Sequence, residues 1–272
     1  MGDPHGRLPD HAGGMTSLLD LVALAGAGTL AGIINAIAGG GTFFTFATLM
    51  AIGLPPVAAN ATSAVSVVPG QIASALAYRG EILALSRVLV PLCAVSAIGG
   101  LFGGWLLLNT DDTTFRGLVP WLLLFATVLF ALSPRIPALM QRLRGAAGTP
   151  LPAAARATTG ALALQGVVAI YGGYFGAGMG IMMLASLSIV FGDRFHDANA
   201  AKNILAVCMQ GFAVLLFVFS GLVHWSEAIV ITLSSVTGGF LGVVVARRVP
   251  VPVMRWTVVA IGAALSAWYF VT

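Results

Sequence analysis

The chain has 272 residues, of which 58% are hydrophobic and 8% charged, with a formal net charge of +4 and a mean hydropathy of +0.99. Soluble domains carry roughly 25% charged residues, so this composition excludes a soluble globular fold and points to an all-α polytopic membrane protein. The positive charge sits on loop arginines with no interleaved aromatic patch, which is the mark of cytoplasmic loops and not of a nucleic-acid surface.

Residues 1–17 carry Asp3, His5, Arg7, Asp10 and His11 among Gly and Pro and read as a disordered tail. The tail lacks the basic end, short apolar core and small-residue site of a signal peptide. Apolar segments follow at about 18–38, 42–53, 57–79, 87–109 and 114–133, and again at 155–173, 177–191, 197–220, 225–247 and 252–271. They amount to about eight to ten membrane segments in two halves, 18–133 and 155–272, joined by a linker at 134–154. Segments 42–53 and 177–191 are too short to span about 30 Å comfortably at 1.5 Å per residue. Each adjoins a glycine-rich stretch: Gly39, Gly40 and Gly41 before the first, and Gly176, Gly178 and Gly180 around the start of the second. Glycine costs roughly 1 kcal/mol against alanine inside a helix, so both stretches predict broken helices. A break at membrane depth persists only where protein or a polar cavity serves the freed backbone groups. Pro55 and Pro56 suit the start of the helix over 57–79, and Asp197 suits an N-cap.

A single offset of 139 relates the halves, carrying Asn60 to Asn199, Gln71 to Gln210, Ser96 to Ser235 and Gly99 to Gly238. The linker holds Arg135, Arg142 and Arg144 and reads as cytoplasmic. Arg79 and Arg87 flank one loop, whereas its counterpart has His224 and Glu227; the loop with Asp111 and Asp112 corresponds to one with Arg247 and Arg248. The charge bias inverts, which predicts two inverted-topology repeats, either with five crossings each or with a re-entrant pair and three crossings. In both cases the two termini lie outside the cytoplasm.

Inverted halves with matched breaks predict a site where the halves meet. One wall would hold Asn35, Gly39, Gly40, Gly41, Thr42, Asn60, Thr62, Ser63 and Gln71, and the other Tyr171, Tyr174, Gly176, Gly178, Lys202, Asn203 and Gln210. All nine acids fall in tails, loops or segment edges, and Lys202 is the charged residue inside a candidate span. Helix N-termini, glycine amides and amide side chains beside a lysine form a donor-rich site that favours an anion. Lys202 is about five residues into its helix, so snorkelling to the interface is the competing reading. The Asn and Gln residues also serve as interhelical hydrogen-bond partners, and His196 is a candidate for proton coupling. Nothing in the pattern asks for a cofactor or metal: Cys93 and Cys208 lie in apolar segments without ligand spacing, and no phosphate-binding or metalloprotease motif occurs.

The motifs Asn35-Ala-Ile-Ala-Gly-Gly-Gly-Thr42, Gly53-Leu-Pro-Pro-Val-Ala-Ala-Asn-Ala-Thr-Ser63, Pro69-Gly-Gln71 and Ala77-Tyr-Arg-Gly80 resemble the sulfite exporter TauE/SafE family, as do the stretches from Tyr171 to Leu184 and from Asn199 to Asn203. The resemblance implies a multi-pass bacterial inner-membrane permease for sulfite, organosulfonates or related small anions, driven by an ion gradient of protons or sodium.

Overall fold

The computed structural model describes residues 17–37, 40–132, 157–191 and 194–246, with isolated positions at 135 and beyond 255. The expected tail, the arginine-rich linker, Gly39 and most of 252–271 lie outside the described residues. Among the described residues every regular element is a helix: α1 Leu18–Ile37, α2 Thr42–Ala51, α3 Pro56–Ala77, α4 Arg79–Ala84, α5 Ser86–Leu108, α6 Asp112–Leu132, α7 Thr159–Tyr174, α8 Met179–Phe191, α9 Phe195–Ser220 and α10 Trp225–Ala246. Three described stretches are long and apolar enough to cross a membrane, at Leu18–Asn35, Ser86–Leu108 and Asp197–Ser220. Large apolar side chains such as Trp105, Trp121, Phe125 and Phe219 face outward, as a lipid-facing surface requires.

Both expected interruptions are present, and they are built differently. At the first, a Cβ on Gly41 would lie 2.1 Å from the Ala31 carbonyl oxygen, so the chain has doubled back against α1 and only glycine fits there. At the second, Gly176 and Gly178 take φ of +79° and +74°, a left-handed conformation that costs L-residues roughly 1–2 kcal/mol. Pro55 precedes α3 with Pro56 at its first turn, where the missing N–H costs nothing. Asp197, expected as an N-cap, instead sits in the first turn of α9 and pairs with Arg194 at 3.2 Å, because α9 begins at Phe195. Asp111 accepts from the backbone N–H and hydroxyl of Thr114 at the start of α6, and Asp112 accepts from the Val57 backbone N–H at 2.9 Å, tying α6 to α3.

Close contacts set the helix directions. Gly28 faces Ile231 and Ser234, and Gly32 faces Ser235 and Gly239, so α1 and α10 run parallel. Gly99 faces Gly166 and Ala169 while Gly103 faces Ile170 and Tyr174, so α5 and α7 also run parallel. Such small-residue faces let backbones approach closely, which is how helices associate where lipid removes the hydrophobic drive. The central pair is different. Tyr78 meets Asn199 and Gln71 meets Gln210, so α3 and α9 run antiparallel.

Candidate functional site

Where α1, α3, α8, α9 and α10 converge, they line a partly open cavity of about 40 Å³. A water occupies roughly 10–15 Å³ on that scale, so the space suits about three waters or one small oxoanion. Asn35, Gln71, Lys202 and Asn203 all line it, and they come from opposite halves of the sequence. The walls are completed by Gly32, Val67, Gly70, Ser74, Met179, Gly180, Met183, Ala206, Ser235 and Gly239.

Lys202 dominates the site. The residue is 3% exposed, and its Nζ has no hydrogen-bond partner among the described residues. The ion pair seen among those residues, Arg194 with Asp197, does not involve it. An ammonium held away from both water and carboxylates is costly unless a ligand supplies the counter-charge. Asn35 contributes differently. Its Oδ1 accepts from the backbone amides of Gly40 at 2.9 Å and Gly41 at 2.8 Å, serving the freed donors ahead of α2. Gln71 donates from Nε2 to Oε1 of Gln210, leaving Gln71 Oε1 and Gln210 Nε2 buried without partners among the described residues.

The other residues expected at the site lie elsewhere. Asn60 donates from Nδ2 to the Tyr174 carbonyl at 2.8 Å. Thr62 accepts from the His224 backbone N–H at 3.1 Å, and Ser63 shares a 2.5 Å hydrogen bond with Thr45. Tyr171 donates its hydroxyl to the Ala177 carbonyl at 2.7 Å, bracing the second break, and the Tyr174 hydroxyl reaches Thr110 at 3.5 Å. Thr42 is buried with an unpartnered hydroxyl, and Gly176 lies against Gln210. Gly40 and Gly41 reach the cavity only through their bonds to Asn35, and Gly178 shapes the second break. The side chain of His196 is outside the described ones.

Sequence reasoning did not single out Ser74, Met179 and Met183 as cavity residues. Ser74 is one turn beyond Gln71, a spacing that places both on one helix face. Met179 and Met183 share a face of α8, but nothing separates them in sequence from core methionines. Glu227 was expected at a segment edge. It does sit in the first turn of α10, yet it is 1% exposed, with Ser226 donating to it at 2.6 Å.

On the far side of the Gln71–Gln210 contact the space is filled. Phe46, Phe115 and Phe175 pack edge to face with centroids 5.4–6.3 Å apart, joined by Tyr171 and Tyr174. The polar cavity and the aromatic plug thus occupy opposite sides of one glutamine bridge.

The chain is 27% identical over 254 residues to "Probable membrane transporter protein YfcA" of Escherichia coli strain K12, covering 93% of this chain and 90% of that protein. It is 27% identical over 221 residues to "Probable membrane transporter protein ORF9" of Sinorhizobium sp, covering 80% and 78%. A "Probable membrane transporter protein" of Haemophilus influenzae is 24% identical over 231 residues, covering 82% and 84%. The profile of the sulfite exporter TauE/SafE family matches residues 24–269, essentially the whole span from α1 onward, and the chain belongs to that family.

Proposed function

We propose that this protein is a secondary active transporter that moves a small anion, sulfite or an organosulfonate or related organosulfur anion, across the bacterial inner membrane by alternating access. The observation that carries the reading is Lys202: a buried ammonium with no partner among the described residues, opening into a small cavity lined by Asn35, Gln71 and Asn203. An oxoanion of a few heavy atoms supplies the missing counter-charge and accepts from the surrounding amides.

Two inverted repeats account for the architecture. Gln71 and Gln210 differ by 139 positions, the repeat offset, and touch each other. Equivalent residues in direct contact on antiparallel equivalent helices lie on a two-fold axis in the membrane plane. The same offset relates α1 to α7, α2 to α8 and α5 to α10, and it carries the α1–α10 packing onto α7–α5. Each half then holds a doubled-back hairpin followed by three crossings, with both termini periplasmic and the cavity on the cytoplasmic side. The aromatic plug closes the other face, an arrangement suited to a carrier and not to an open channel.

Replacing Lys202 by Met tests the reading. In reconstituted vesicles the wild type shows saturable anion uptake with counterflow, and Lys202→Met loses it while expressing and folding normally. Undiminished uptake by the variant would return Lys202 to a snorkelling role. Flux that neither saturates nor shows counterflow would replace the carrier with a channel.

A further inference from the structure

Cys93 and Cys208 have no part in the anion cavity. They are the two cysteines of the chain, they come from opposite halves of the sequence, and each lies in an apolar stretch long enough to cross a membrane. In the folded chain their thiols face each other between α5 and α9. The backbones beside them are close. A Cβ on Gly100 would lie 2.1 Å from the Met209 carbonyl oxygen, and one on Gly104 would lie 3.0 Å from Ala213 Cβ. Met209 follows Cys208 directly, so the thiol pair belongs to a seam with little room between its helices.

The repeat offset puts a fastening at the same level of the other half. Adding 139 carries Cys93 to Thr232, and subtracting it carries Cys208 to Pro69. Thr232 on α10 donates its hydroxyl to the Ser66 carbonyl on α3 at 3.2 Å, one turn before Pro69. A side-chain hydrogen bond thus fastens α10 to α3, where α5 and α9 carry two thiols that can stand free or be joined.

Their surroundings select the oxidant that can join them. Both cysteines are half-buried, and Val90 and Phe212, one turn away on the same two helices, are exposed on the lipid-facing surface. Cys93 stands about 10 Å into its span at 1.5 Å per residue. Glutathione and other charged thiols stay in water, so the pool that keeps cytosolic cysteines reduced does not reach this depth. A lipid-soluble oxidant does. We propose that Cys93 and Cys208 form a redox-active dithiol that is closed to an intramolecular disulfide by a two-electron oxidant of the membrane quinone class. Each sulfur gives up its hydrogen, the S–S bond forms, and the quinone takes up the two electrons and two protons as quinol. The bridge ties α5 to α9 about 9 Å along the helix from Lys202. It also closes a long loop in the unfolded chain, which stabilises the folded one. This chemistry is independent of the anion reading.

The test uses purified full-length protein in liposomes, reduced and then kept free of oxygen, with or without a short-chain ubiquinone analogue. The protein is then denatured in detergent with a maleimide-polyethylene glycol that adds mass at each free thiol. Two labels are expected without the quinone and none with it, at the mobility of a monomer, and dithiothreitol should restore both. The oxidised protein should melt at a higher temperature than the reduced one. Cys93→Ala and Cys208→Ala should lack that difference, and each should keep its remaining label after exposure to the quinone. The wild type alone carries the labelling test if either variant does not fold. Two labels retained in the presence of the quinone would overturn the proposal, as would disulfide-linked dimers in place of the bridged monomer. Loss of label that dithiothreitol does not reverse would mean a covalent quinone adduct and would overturn it too.

Discussion

At the scale of single residues, position in the packed molecule decides what each polar group does. Asn35 and Lys202 share a cavity, yet one is committed to the backbone and the other is uncommitted. Asn35→Ala would leave the amides of Gly40 and Gly41 unpaired, at roughly 1–3 kcal/mol for each buried donor, and should lower the thermal midpoint clearly. Asn35→Asp keeps an acceptor for those amides but adds a negative charge to the wall shared with Lys202. That variant should remain folded and lose stabilisation by sulfite, and melting curves with and without sulfite check both halves of the prediction.

Among the elements, the two breaks are the parts most exposed to substitution. Gly53 has φ of +96° with open space around it, so Gly53→Ala meets backbone strain alone, about 1–2 kcal/mol. Gly176 has a comparable φ, but its Cβ would sit 2.9 Å from Gln210 Nε2, so Gly176→Ala adds a displacement of the glutamine bridge to the same strain. Gly176→Ala should therefore lower the melting midpoint more than Gly53→Ala and disturb anion uptake, which Gly53→Ala should spare. At Gly41 the obstacle is the Ala31 backbone carbonyl, which no rotamer change can move aside, so Gly41→Ala should fail to accumulate as folded protein.

For the whole molecule, the proposed orientation can be read directly. Gly80, between α3 and α5, is exposed with nothing near it, and Asn109 is exposed at the other end of α5. With the arginine-flanked loop in the cytoplasm, Gly80→Cys should react with a membrane-impermeant maleimide only in inverted vesicles, and Asn109→Cys only in right-side-out vesicles. Reaction of both from one side would refute a crossing by α5 and with it the inverted arrangement.

The membrane class, the helix starts at proline and the two interruptions were legible in the chain because composition and local backbone preference decide them. The 139-residue offset is a reading of the chain alone, and it pairs Gln71 with Gln210. That they touch required the packed helices. So did the division of the expected site between the cavity at Lys202 and the separate hydrogen bonds of Asn60, Thr62 and Ser63. Adjacent residues on a helix point about 100° apart, and only the neighbouring helices determine what each one meets. Thr62 reaches His224 ahead of α10 while Ser63 reaches Thr45 on α2. Lys202 could have pointed to the interface or inward on the same sequence, and the packing of α3, α8 and α10 around it turned it inward.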